Sequence, residues 1–321
     1  MSNYIKQVLV AGTGYMAKEY IKVLKALKAE YVVIGNRAES VGRFTEETGE
    51  QAYVGGVEHY ISEHKELPEC AIVAVSHGNL YQATKALAEA GVKKLLVEKP
   101  GVISFREMED LLHIADQKKT EIYIGYNRRF YQSVRKAAEL IAQDGGLQLV
   151  AYEFTEWAHV VEKTPHPDEM KQKWFLLNST HVADLVFYLT GRPRSLTAQI
   201  AGGLEWHKAG SIYTGCGVTE RDIPFVYQAD WSAPGRWGVE LLTAKHRFYL
   251  RPLEKLQIQE IGSVKVEEYP IEDDVDRQYK AGLYEETVAF LSDDPAGKGL
   301  CTLEEHHQNM AFYQEISGEV Y

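Results

Sequence analysis

The sequence predicts an α/β protein in two parts: an N-terminal doubly wound domain on a parallel sheet, then a C-terminal α/β domain with a large, mostly antiparallel open sheet. Three observations carry this. Short apolar runs alternate with helical patterns up to residue 125, as in consecutive βαβ units. A glycine-rich turn separates the first apolar run from the first helical pattern. Beyond it, strand-like runs follow one another without intervening helices, which favours antiparallel pairing. A chain of 321 residues exceeds what one core usually organises, so domains are expected over 1–125 and 126–321.

The first strand is Gln7-Val8-Leu9-Val10-Ala11, and Gly12-Thr13-Gly14-Tyr15-Met16-Ala17 follows it directly. From Met16 on, Tyr20, Val23, Leu24 and Leu27 recur at helical spacing, so the glycines occupy a strand-to-helix turn. Gly12 permits the tight turn, Gly14 lets a pyrophosphate approach the backbone, and Ala17 lets the helix pack closely. The helix start at Tyr15 and Met16 offers free amides to phosphate. A dinucleotide is therefore the expected cofactor. The second strand, Tyr31-Val32-Val33-Ile34, ends in Gly35-Asn36-Arg37, where NAD-selective sites carry an acid for the ribose. Arg37, with Ser40 and Arg43 nearby, suits the extra phosphate instead, which favours NADP over NAD.

Ala71-Ile72-Val73-Ala74-Val75 reads as a buried strand leading to Ser76-His77-Gly78-Asn79, a loop expected at the nicotinamide side of the crevice. Leu95-Leu96-Val97 is a further strand, and it delivers Glu98 and Lys99 to its carboxyl end. Pro100 has no amide to give a ladder, so it stops the strand there. Lys99 thus stands at the lip of a parallel sheet, where ligands bind. A helix through Met108, Leu111, Leu112 and Ala115 and a strand over 121–125 complete the first domain. Strand-like runs follow at 147–154, 196–200, 225–231, 239–242, 247–250 and 264–269, with helices at 182–189, 279–291 and 303–316. The turn Trp231-Ser232-Ala233-Pro234-Gly235-Arg236-Trp237 offers indoles for a sugar ring and Arg236 for a phosphate, or else fills the sheet face.

Composition excludes other classes. With 35 Lys and Arg against 46 Asp and Glu, the formal charge is -11, and no basic run suits nucleic acid. No stretch approaches the roughly 20 apolar residues that cross a bilayer, and no charged-then-apolar leader precedes the first strand, so a cytoplasmic protein is expected. Cys70, Cys216 and Cys301 are widely spaced and odd in number, which fits reduced thiols better than a disulfide framework or a metal site.

The ordered set Gly12-Thr13-Gly14, Val97-Glu98-Lys99-Pro100, Gly125-Tyr126-Asn127-Arg128-Arg129-Phe130 and His181 followed by Asp184 resembles the Gfo/Idh/MocA family of oxidoreductases. The ending Thr302-Leu303-Glu304-Glu305 is similar too, so the likeness covers almost the whole chain. It implies a Rossmann domain followed by a domain whose open sheet makes oligomer contacts, in a dimer or tetramer. It implies that Lys99 lies between nicotinamide and substrate, often beside a cis Lys-Pro bond, and polarises the substrate oxygen. His181 is then the proton acceptor, a role suited to its near-neutral pKa. Asn127, Asn178, Asp184 and Arg236 are the expected substrate contacts; Ser76, His77 and Glu98 join the glycine turn, Asn36 and Arg37 around the cofactor.

One departure stands out: many members carry an aspartate four residues before this histidine, and here that position is Leu177. Asn178 is displaced by one residue, about 100° around a helix. The resulting expectation is an NAD(P)-dependent oxidoreductase acting on a ring alcohol or ketone of a sugar, nucleotide sugar or cyclitol. The alternative is a non-catalytic dinucleotide-binding sensor on the same fold.

Overall fold

The computed structural model describes residues 7–321, so the expectation of no leader falls partly outside the described residues. The chain divides into two compact units, one of residues up to Tyr126 with Gln278–His307, the other of Asn127–Arg277 with Gln308–Tyr321. The expected division near residue 126 therefore has an exception: residues 278–307 lie with the first unit, not the second.

The first unit is built on strands β1 (Val8–Ala11), β2 (Tyr31–Gly35), β3 (Tyr53–Val54), β4 (Cys70–Val73), β5 (Lys94–Glu98) and β6 (Glu121–Gly125). They pair in parallel in the order β6-β5-β4-β1-β2-β3. Val8, Leu9, Val10 and Ala11 are all 0% exposed, as continuous apolar runs require when both sheet faces are covered. Helix Tyr15–Ala26 buries Ala17, Tyr20, Ile21, Val23 and Leu24, one stripe at helical spacing.

The return of the C-terminal stretch has two visible causes. Cys301–Thr302 adds an antiparallel edge strand to β6, satisfying backbone groups that an open edge would expose. Helix Leu283–Phe290 packs on Tyr15–Ala26, and its buried Glu286 accepts a hydrogen bond from the Tyr20 hydroxyl at 3.1 Å. The helical pattern expected over 279–291 starts only after Gly282, whose φ of 74° ends the preceding turn.

The second unit contains β7 (Leu149–Glu153), β8 (Pro193–Ala201), β9 (Ile212–Thr219), β10 (Pro224–Asp230), β11 (Gly238–Leu242), β12 (His246–Leu250), β13 (Gln257–Glu260) and β14 (Glu267–Glu268). Their order is β14-β13-β12-β11-β7-β10-β9-β8. Only β7 and β10 pair in parallel. Along β10, Phe225, Tyr227 and Ala229 point inward while their neighbours are exposed, the alternation of a sheet covered on one face. Helices Gln132–Gln143 and Thr180–Thr190 pack on this sheet. The apolar run at 264–269 forms only the two-residue β14, and Val264 is 96% exposed.

Asp144, after helix Gln132–Gln143, ties that helix to the β11–β12 turn. It accepts hydrogen bonds from Thr243 Oγ1 and His246 Nδ1, both at 2.7 Å. Burial works to raise this carboxyl, but the His246 and Thr243 hydrogen bonds and the His246 and Lys245 charges hold it below the ordinary aspartate range. A depressed folded-state value gives stability that is present above the unfolded pKa of about 3.9 and lost as the pH falls through the folded one. Asp144→Asn is expected to cost about 1–2 kcal/mol at neutral pH. Urea unfolding should show that gap closing in acid, and a gap unchanged by pH would contradict the assignment.

Candidate active site

The cleft of the first unit opens where β1 ends. Gly12 has a φ of 129°, and a Cβ there would stand 2.2 Å from the Ala74 carbonyl oxygen. No side chain fits that approach. The Gly12 amide donates to the Ile34 carbonyl, and the Ala74 amide to the Ala11 carbonyl, each at 2.8 Å. The turn is thereby fastened to the strands on both sides of β1.

Gly14 differs, because its φ is -82° and nothing lies within 4 Å of a Cβ placed there. Its bare backbone borders open space, and no side chain caps the helix that starts at Tyr15. Free amides and the positive end of the helix dipole are therefore available to an anion. The cleft measures about 710 Å³. Gly12, Thr13, Gly14, Tyr15 and Met16 line one part, Asn36, Arg37 and Ser40 another, and Ser76 a third. Tyr15 is 63% exposed, with the Lys280 ammonium 5.4 Å from its ring centre.

Arg37 is exposed and meets no carboxylate among the described residues. Arg43 is instead paired with Glu39 at 2.9 Å and does not line the cleft. The wall that sequence reasoning missed is Gly55-Gly56-Val57-Glu58. Its signal was a glycine pair before a short helix, Gly56–Glu63, and it brings an acid, Glu58, into the cleft.

His77, Glu98 and Lys99 are not part of this lining. His77 opens a 3-10 turn, His77–Asn79, and is half-buried. Glu98 ends β5, and with Glu286 it acts on Tyr20, whose hydroxyl is pushed well up by burial first and then by these two carboxylates. Lys99 is 4% exposed, its bond to Pro100 is cis, and the Gly101 amide donates back to the Glu98 carbonyl at 2.9 Å. That turn holds the lysine at the strand end.

In the second unit, His181 lies in helix Thr180–Thr190. Phe175–Ser179 forms a π-helical turn that runs straight into this helix, so helical backbone begins before the expected 182. Ser179 is helical, and its hydroxyl donates to Glu156 at 2.7 Å rather than capping. The Asn178 amide donates to the same carboxylate at 2.9 Å, Arg236 at 2.9 Å and the Trp237 indole at 3.2 Å. Burial pushes the Glu156 carboxyl up, while Arg236, Ser179 and Asn178 draw it back. Leu177 is 4% exposed and apolar. The buried carboxylate of this region thus comes from the segment after β7, not from the helix.

Asp184 grips Arg129 with both oxygens, at 2.6 and 2.8 Å, and both side chains are 1% exposed. Asp184, expected as a substrate contact, thus fixes Arg129 inside the unit. Arg128 Nη1 lies 2.7 Å from Asn127 Oδ1 and 3.0 Å from His181 Nε2. The second unit therefore brings together Asn127, Arg128 and His181, with the Trp237 ring 5.9 Å from the His181 ring.

The two glycines should separate fold from binding. Gly12→Ala is expected to destabilise the first unit by about 3 kcal/mol, through strain and overlap. Gly14→Ala should stay within about 0.5 kcal/mol of wild type in urea unfolding yet weaken dinucleotide binding about tenfold by calorimetry. Equal effects on stability would contradict the division.

Residues 6–126 match the model of the "Oxidoreductase family, NAD-binding Rossmann fold". The chain is 26% identical over 142 residues to scyllo-inositol 2-dehydrogenase (NADP(+)) IolW of Bacillus subtilis, a stretch of 41% of this chain and 37% of that protein. The solved UDP-N-acetylglucosamine 3-dehydrogenase GnnA from Acidithiobacillus ferrooxidans is similar in fold, with a TM-score of 0.75 at 16% identity over 98% of this chain and 97% of that one. An inositol dehydrogenase homolog complexed with NAD+ from Azotobacter vinelandii has a TM-score of 0.75 at 13% identity, over 98% and 95% of the two chains. None of the described helices is long and apolar enough to cross a membrane. The family match thus lies within the nucleotide-binding unit, and the solved structures share the fold of the chain.

Proposed function

We propose that this chain is an NAD(P)-dependent oxidoreductase that interconverts a ring alcohol and ketone of a sugar, nucleotide sugar or cyclitol. The observation that carries the reading is the cleft over the Gly12 turn, whose bare Gly14 and uncapped helix start fit a pyrophosphate. The names of the relatives support the substrate class, since they specify a cyclitol and a nucleotide sugar.

Gly14, Tyr15 and Met16 would hold the pyrophosphate, and Asn36, Arg37 and Ser40 the adenosine side. The bound nicotinamide accepts or gives a hydride. In the oxidising direction, His181 takes the hydroxyl proton at Nε2, and the Lys99 ammonium stabilises the negative charge growing on the oxygen. In reduction the same groups act in reverse. The exposed face of the second unit's sheet, with Ile212 41% and Val226 44% exposed, supports assembly of two or four copies.

Arg37 supports NADP, because a guanidinium without a carboxylate partner suits a phosphate. Glu58 favours a second reading, NAD, because an acid in the same cleft repels that phosphate and accepts from ribose hydroxyls. Arg37→Ala should weaken NADP about tenfold and leave NAD within about twofold; weakening of both alike would remove Arg37 as the discriminator.

Lys99→Ala should lower kcat/KM on an accepted polyol by about 100-fold or more, with the dinucleotide Kd changed less than about threefold. Unaltered turnover in the variant would refute the catalytic role. Tight dinucleotide binding without turnover of any cyclitol, sugar or nucleotide sugar would favour the sensor reading that Leu177 keeps open.

A further inference from the structure

In the second unit the guanidiniums of Arg128, Arg129 and Arg236 each lie over an aromatic ring, and two of them have an acid. Arg129 has Asp184 at 2.6 Å, and Arg236 has Glu156 at 2.9 Å. Arg128 has none among the described residues, although acids outnumber bases 46 to 35 in the chain. Its cation instead lies 5.5 Å from the Trp237 ring centre and 5.9 Å from that of Tyr131. Its Nε is buried without a hydrogen-bond partner. A half-buried guanidinium lacking a counter-ion is poised for an anion, since leaving such a group unpaired is costly and pairing it with an oxyanion is strong.

Arg128 also constrains His181. A guanidinium can only donate, so the His181 Nε2 that receives its Nη1 at 3.0 Å must carry a lone pair. At rest the imidazole is therefore neutral, and the nitrogen assigned to proton transfer is occupied. Asn127 Oδ1, 2.7 Å from the same Nη1, gives the guanidinium a second hold, so it can leave His181 without losing every contact.

We infer that the substrate is an anionic ring polyol, bearing a carboxylate or a phosphate ester, and that Arg128 is a positioning residue that exchanges His181 Nε2 for this group. The inference rests on the hydride-transfer reading above and names the substrate class of the same site. When the anion binds, Arg128 donates to its oxygens and Nε2 is freed. Nε2 then takes the hydroxyl proton and becomes N–H, the carbon loses its hydride with the electron pair to the oxidised nicotinamide, and the alcohol becomes a ketone. A neutral polyol offers no oxyanion to draw the guanidinium away, so the base stays covered.

The test uses the full chain with glucuronate as the carboxylate probe, glucose 6-phosphate as the phosphate probe and glucose as the neutral one. Tryptophan fluorescence, to which Trp237 contributes, reports binding. Wild type should bind at least one anionic probe about tenfold or more tighter than glucose; which of the two prefers the site identifies carboxylate or phosphate. Arg128→Met should bring the anion-to-neutral ratio of binding, and of kcat/KM where turnover occurs, close to one. Arg128→Lys, which keeps the charge, should retain part of the preference. Nitrogen-15 resonances of His181 should report a neutral ring with an acceptor Nε2 in the free protein, and a changed Nε2 hydrogen bond on adding the preferred anion only when Arg128 is present.

Equal binding of charged and neutral probes by wild type, no binding of either anion, or a preference that survives Arg128→Met would overturn the inference. Turnover of a neutral polyol that depends on Lys99 would then leave the hydride-transfer reading standing. Loss of that reading itself would appear as no turnover of any cyclitol, sugar or nucleotide sugar, whether or not NADPH binds.

Discussion

The first unit depends on the close approach of Gly12 to the end of β4. Strand β1 has β2 on one side and β4 on the other, so the chain crosses over to opposite edges of the sheet at this point and a crevice opens beyond the strand ends. A side chain at Gly12 would collide with the Ala74 carbonyl at 2.2 Å, pushing β4 and its following loop away. Keeping them close leaves the next amides, at the start of Tyr15–Ala26, aimed into the crevice. The same packing that closes the core thus builds an anion site from backbone alone, and it needs no charged side chain at its centre.

The second unit solves a different problem, that of holding charge inside. Glu156 accepts four donors, from Asn178, Ser179, Arg236 and Trp237. Asp184 takes a bidentate arginine. A buried carboxylate is tolerated only when its lone pairs are filled, and here the filling ties the π-helical turn before His181 to the segment after β7. The buried carboxylate here stands just after β7, at Glu156, while Leu177 leaves its own position apolar.

The longer parallel strands were legible because they are apolar runs, a pattern that burial on both faces demands, whereas the exposed two-residue β3 carries no such signal. The glycine turn was legible because strand, glycines and helix stand together in sequence. Strand β9 was not, since Gly215 and Gly217 read as turn residues. In the fold, a Cβ at Gly215 would meet the Tyr227 ring at 2.3 Å, and one at Gly217 the Ser195 carbonyl oxygen at 2.0 Å, so tertiary packing selects glycine within a strand. The π-helical turn was hidden too, because the bonds of Asn178 and Ser179 to Glu156 join residues 22 and 23 apart in the chain. The contacts of Arg128 with His181 and of Tyr20 with Glu286 join residues far apart along the chain, and no local periodicity reports such pairs. Glu58 escaped because an acid is expected immediately after the second strand, whereas this one enters the cleft from helix Gly56–Glu63, beyond an intervening helix and β3.

A crystal structure of the chain grown with saturating NADPH tests the central claim most directly. The account predicts the pyrophosphate oxygens within hydrogen-bonding distance of the amides that open Tyr15–Ala26, beside bare Gly14. A dinucleotide bound elsewhere, or a cleft that stays empty under those conditions, would contradict it.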